Sequence, residues 1–129
     1  MGEEVTIDGI PTRVEVSGAG PPLILVHGLG GPLMWQRVVG PLSADFHVIN
    51  LHLPGFGESD SPSTPFTVDD YARFLLRVLD VLRIPRAILV GTSYGGQIVA
   101  RCASLGASRV ERLIFVNSTG FGKRGGLPG

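Results

Sequence analysis

Cysteine is nearly missing from this chain: Cys102 stands alone among 129 residues. A single thiol excludes an internal disulfide and fits a reducing, cytoplasmic setting. Charge of one sign is lacking too, since Lys+Arg and Asp+Glu both number 11 and the formal net charge is zero. That balance gives no bulk attraction to nucleic acid or to an anionic membrane surface. It also removes repulsion between copies, which makes self-association easier. No apolar run approaches the roughly 20 residues of a membrane span. The N-terminus shows no basic start followed by an apolar stretch, so no secretory signal is read. "MGEEVT" matches Met-Gly-x-x-x-Ser/Thr, yet acidic residues follow the glycine and no basic patch supports it, so the match is taken as chance. No Cys/His spacing marks a metal site, and no cofactor is implied.

What is present is a core. Hydrophobic residues make up 43% and charged residues 17%, the balance of a globular chain of one-domain length. Residues 4–17, "EVTIDGIPTRVEVS", alternate apolar and polar around Asp8-Gly9, which predicts an antiparallel hairpin. "LILV" (23–26), "FHVINLHL" (46–53), "AILV" (87–90) and "RLIFVN" (112–117) read as strands, most of them continuous apolar runs buried on both faces. A modest helix is expected around 33–42, after Pro32. A clearer one follows Thr67, with Asp70 completing a capping-box variant and Tyr71, Phe74, Leu75, Val78, Leu79 and Leu82 forming one stripe up to Pro85. "YGGQIVARCASLG" predicts a third, with Cys102 on its apolar face. The alternation means an α/β fold: a mostly parallel sheet with an N-terminal antiparallel hairpin and helices on both faces.

The chemistry concentrates where the third of these apolar strands ends. Gly91-Thr92-Ser93-Tyr94-Gly95 is G-x-S-x-G between a predicted strand and a predicted helix. So tight a turn strains the serine backbone, and glycines on either side relieve the crowding. The hydroxyl is then lifted to a helix N-terminus, where the dipole favours developing negative charge. Otherwise, Ser93 would be a helix N-cap in a glycine-rich turn. His27-Gly28-Leu29-Gly30-Gly31 ends the first apolar strand, and in a parallel sheet both ends open on the same side.

"HGLGG", "LPGFGES" (53–59) and "GTSYGG" (91–96), in this order and spacing, resemble the N-terminal half of an α/β-hydrolase-fold enzyme, over essentially residues 4–120. The resemblance implies Ser93 as nucleophile and the backbone N–H groups of Leu29 and Tyr94 as the oxyanion hole. His27, Gly28, Gly91 and Gly95 support the motif. It also implies a small-molecule substrate with an ester, amide or C–C bond, because the aspartate branches of this fold carry a different residue at position 93. Residues 1–129 are then expected to be one incomplete domain of about six strands, a truncated form of the fold.

Two features depart from the family pattern. His52-Leu53-Pro54-Gly55 stands where Asp-x-Pro-Gly is common, a change bearing on the loop more than on the chemistry. The family's order is Ser, then acid, then His. Here His27, His47 and His52 all precede Ser93, and Glu111 is the only acid after it. His27 is read as a brace of its turn and His47 as a structural imidazole in mid-strand, while His52 is the upstream substitute base nearest the same sheet edge. The chain alone is therefore expected to be inactive or very weak, with an open edge prone to self-association or to pairing with a complementing segment. The competing reading is a non-catalytic protein that binds a small molecule over the sheet, near Leu29, Trp35, Phe56 and Tyr94. A dinucleotide fingerprint at "GFGKRG" (120–125) is rejected for want of a following helix and acid.

Overall fold

The computed structural model describes residues 2–117. The fingerprint-like glycines at 120–125 lie outside them. β1 (Gly2–Ile7) and β2 (Ile10–Ser17) pair antiparallel, with Ile7 opposite Ile10. Asp8 and Gly9 between them have φ of 50° and 80°, the two left-handed residues that a tight two-residue hairpin needs. β3 (Pro22–Val26), β4 (His47–Leu51), β5 (Ala87–Thr92) and β6 (Val110–Val116) complete a sheet of order β1-β2-β4-β3-β5-β6. β2 meets β4 antiparallel, and the other contacts of β3 to β6 are parallel.

Strand alternation divides the core into two layers. Ile24, Val26, Ile49, Leu51 and Leu89 face α2 (Val68–Val81) and α3 (Tyr94–Leu105), which contribute Leu75, Val78, Leu79, Ile98, Val99 and Cys102. Leu23, Leu25, Val48, Ile88 and Val90 face the other way, toward Trp35, Val39 and Leu42. That second cover is thin: a 3₁₀ turn at Pro32–Trp35 followed by α1 (Gln36–Leu42), a helix of only 7 residues. β6 is an edge strand among the described residues, and its Ile114, Phe115 and Val116 are each about two-fifths exposed. No helix among these residues is long and apolar enough to cross a membrane.

α2 begins as its sequence predicts. Asp70 N–H donates to the Thr67 hydroxyl at 3.2 Å, and Thr67 N–H donates to the Asp70 carboxylate at 2.8 Å. The Thr67 backbone N–H, and after it the Thr67 hydroxyl, hold the Asp70 carboxyl below the usual range. The helix ends earlier than Pro85 requires, because Arg83 turns left-handed at φ 58°. Cys102 is buried in the larger layer, and desolvation pushes its thiol up to about 12. A thiol so placed has almost no thiolate at neutral pH. Folded protein is expected to leave a disulfide-exchange reagent such as DTNB unreacted, and to release one equivalent once unfolded in guanidinium. Fast labelling of the folded chain would contradict the burial.

Candidate functional site

Register decides what meets at the end of the sheet. β3 and β5 are neighbours with Val26 opposite Gly91, and β4 lies on the other side of β3 with Leu51 opposite Val26. Two residues further along each chain, Leu53, Gly28 and Ser93 are thus brought level at one sheet edge. Local geometry agrees: a Cβ added to Gly28 would lie 2.8 Å from Ser93 Cβ and 3.2 Å from its Oγ. Only a glycine lets the turn after β3 approach the serine this closely.

Ser93 has φ 54° and ψ −126°, a region that residues with a side chain seldom enter. Such strain costs on the order of 1–3 kcal/mol and persists only where the surroundings enforce it. Here they do. Ser93 N–H donates to Asn117 O at 3.2 Å, and Gly96 N–H donates to Ser93 O at 3.0 Å. A Cβ on Gly91 would meet Gly95 O at 2.5 Å, so the strand and the first turn of α3 touch backbone to backbone. Ser93 occupies the N-cap position of α3, yet its hydroxyl makes no capping hydrogen bond. The simple N-cap reading therefore does not describe it. Tyr94 opens the helix, where no preceding turn supplies a carbonyl for its N–H. Its ring stacks edge-on with Tyr71, with centroids 6.2 Å apart.

The three histidines are all engaged elsewhere. His27 is fully buried, donates from Nδ1 to Gly28 O at 2.7 Å, and accepts Leu53 N–H on Nε2 at 3.0 Å. Both bonds fix the neutral tautomer, and burial, reinforced by nearby His52, lowers its pKa despite the opposing Gly28 bond. His52 accepts Glu58 N–H on Nδ1 at 3.0 Å, so its Nε2 carries the proton and faces Glu15 at 3.6 Å. An acceptor at position 52 thus holds the 53–59 loop, which is the duty a carboxylate could perform there. His47 is the first residue of β4 rather than a mid-strand residue, and its Nδ1 bonds Gly18 O at 3.0 Å. None of these hydrogen bonds is made to Ser93 itself.

Of the four residues expected around a pocket, Leu29 and Phe56 share a cavity of about 740 Å³. Trp35 is buried in the smaller core layer instead, and Tyr94 turns to Tyr71. The same cavity is walled by Asn50 and Glu15, which a reading of the sequence does not single out. Their signal was parity: Asn50 shares a strand face with Val48 and His52, the one amide in an otherwise apolar run.

A family model described as the alpha/beta hydrolase fold matches residues 21–124. Over 125 residues the chain is 36% identical to a 2-hydroxymuconate semialdehyde hydrolase from Pseudomonas sp. (strain CF600), which covers 93% of this chain and 44% of that protein. Among solved structures, a bacterial membrane phospholipase A superposes with TM-score 0.91 at 29% identity, over 96% of this chain and 41% of its own. A meta-cleavage product hydrolase from Pseudomonas fluorescens IP01 gives TM-score 0.87 at 27% identity, over 95% and 46%. The chain spans less than half the length of each of these relatives. With its strand order, its strained bend after β5 and a match across most of its residues, this chain belongs to the α/β-hydrolase fold family.

Proposed function

We propose that this chain carries the nucleophile half of a serine hydrolase acting on an ester, amide or carbon–carbon bond of a small molecule. The observation that carries the reading is Ser93: backbone φ of 54°, hydroxyl uncapped, and Gly28 of the neighbouring turn against its Oγ. In the reaction, Ser93 Oγ attacks a carbonyl carbon, its proton passes to a base, and the carbonyl oxygen becomes an oxyanion. Leu29 and Tyr94 N–H groups receive that charge, one from the turn after β3 and one from the start of α3. Losing a single donor of this kind typically slows the chemistry by about 10²–10³-fold. Relatives named as hydrolases of 2-hydroxymuconate semialdehyde and of 2-hydroxy-6-oxo-2,4-heptadienoate support the carbon–carbon option.

His27, His47 and His52 hold backbone groups, and none of their hydrogen bonds reaches Ser93, so in this reading another group serves as the base. Without a base, about 10³–10⁴-fold over water remains from the oxyanion hole and binding. The same commitment favours a second reading, a hydrolase-like binder with an idle serine. A fluorophosphonate probe separates them, with imidazole added to replace the absent base. Labelling is expected at Ser93 alone, faster with imidazole, and abolished in Ser93→Ala. Equal background labelling of parent and variant, with or without imidazole, would overturn the catalytic reading.

A further inference from the structure

The cavity beside the turn after β3 lies over β2 and β4, and Ser93 is not part of its wall. Its polar groups form an incomplete set. Asn50 is 4% exposed, and its Nδ2 donates to Pro32 O at 3.4 Å. Exchanging the amide's N and O would set oxygen against the Pro32 carbonyl, so the orientation is assigned on that contact. That leaves Oδ1 as a buried acceptor with no partner among the described residues. Unmade hydrogen bonds of this kind are uncommon in folded proteins and call for an explanation.

Glu15 stands directly opposite Asn50 in the β2–β4 register, with both side chains on one sheet face. Its carboxylate faces His52 Nε2 at 3.6 Å, beyond good hydrogen-bond range. Arg13, two residues along the same strand, is turned to Glu58 at 3.3 Å. Two acceptors therefore share this sheet face, Asn50 Oδ1 with no partner among the described residues and the Glu15 carboxylate with a long contact to His52. Leu29, Leu33, Val39 and Phe56 supply the apolar walls. The volume, about 740 Å³, is that of a small-molecule site.

We propose that this cavity binds a small organic amine, its ammonium bridging Asn50 Oδ1 and the Glu15 carboxylate and its hydrocarbon body lying against Leu29 and Phe56. An ammonium offers three donors and no acceptor, which matches a wall with two acceptors to fill. A carboxylate ligand would face Glu15 and the Asn50 oxygen with like polarity. A metal ion is a poorer match, since the described residues hold no cluster of three His, Cys, Asp or Glu fit to bind one.

Benzylamine is the probe, with benzoate of equal size as its counterpart, titrated into the 129-residue chain and followed by amide NMR shifts. Benzylamine is expected to saturate with a Kd on the order of 1 mM, as befits a small fragment. The shifts should centre on Gly30, Gly31 and Gly57, and benzoate should leave them unmoved. Asn50→Leu should weaken binding at least tenfold and Glu15→Gln at least fivefold. If Asn50→Leu fails to fold, the half-exposed Glu15→Gln carries the test. Equal response to benzoate, shifts that never saturate, or an unchanged Kd in Glu15→Gln would overturn the assignment. The cavity shares the Leu29 turn with the proposed oxyanion hole, but no readout involves Ser93, so failure here leaves the fluorophosphonate test of the hydrolase proposal undecided either way.

Discussion

Adding one methyl group at Gly95 is expected to destabilise the fold by about 3 kcal/mol, a large effect for so small a change. The new Cβ would lie 2.6 Å from His27 O and closer still to Val26 O. Both obstacles are backbone atoms at the end of β3, pinned between β4 and β5, so no rotamer change relieves them. The alternative is for α3 to move off the sheet, opening the larger core layer around Ile98, Val99 and Cys102. Gly40→Ala is the matched control, since a Cβ there meets nothing within 4 Å and the residue lies in α1. Helix propensity alone then predicts a gain of roughly 0.5–1 kcal/mol. Urea unfolding of both variants reads the difference. A Gly95→Ala loss below 1 kcal/mol would mean that the close approach of α3 to β3 is not a constraint.

That close approach was legible in the sequence only as a pattern. "AILVGTSYGG" announces a strand, a cramped bend and a helix, and the structure puts β5 at 87–92 and α3 at 94–105. The capping box at Thr67 and Asp70 was equally readable, because it depends on a spacing of three within one turn. Properties that depend on neighbours from distant parts of the chain were not. Pro85 suggested where α2 stops, but the left-handed Arg83 ends it sooner. His47 looked central because apolar residues follow it, whereas β4 starts there. The sequence places Trp35 and Tyr94 near the same motifs as Leu29 but does not show which way each faces. The 3₁₀ turn after Gly31 sets Trp35 into the thin layer against Leu23 and Leu25, and the helix start sends Tyr94 toward Tyr71. Asn50 was hidden inside an apolar run. Its partnerless oxygen becomes visible only once β2 lies beside β4.

His27 should prove the costliest polar side chain to lose. Register brings three loop ends level, and its ring joins two of them: Gly28 O on its own turn and Leu53 N–H on the turn after β4. His27→Ala leaves that N–H and that carbonyl unpaired in a buried site and opens a gap beside Phe56, whose ring centroid lies 5.1 Å away. Together these are expected to cost about 3–4 kcal/mol. Protonation attacks the same bridge. Nε2 accepts a hydrogen bond only when it carries no proton, and burial already holds the folded pKa below the ordinary 6.5. The unfolded chain therefore binds the proton more readily, and stability rises with pH across this range. The His27 contribution should be complete above about pH 6.5, decline as pH falls toward the lowered folded value, and level off below it. One such group sets a limit of about 1.4 kcal/mol per pH unit. Denaturant midpoints measured from pH 7.5 to 5 should fall for the parent chain and fall less for His27→Ala. Parallel curves for the two would show that this imidazole is not what ties the serine-facing turn to the loop after β4.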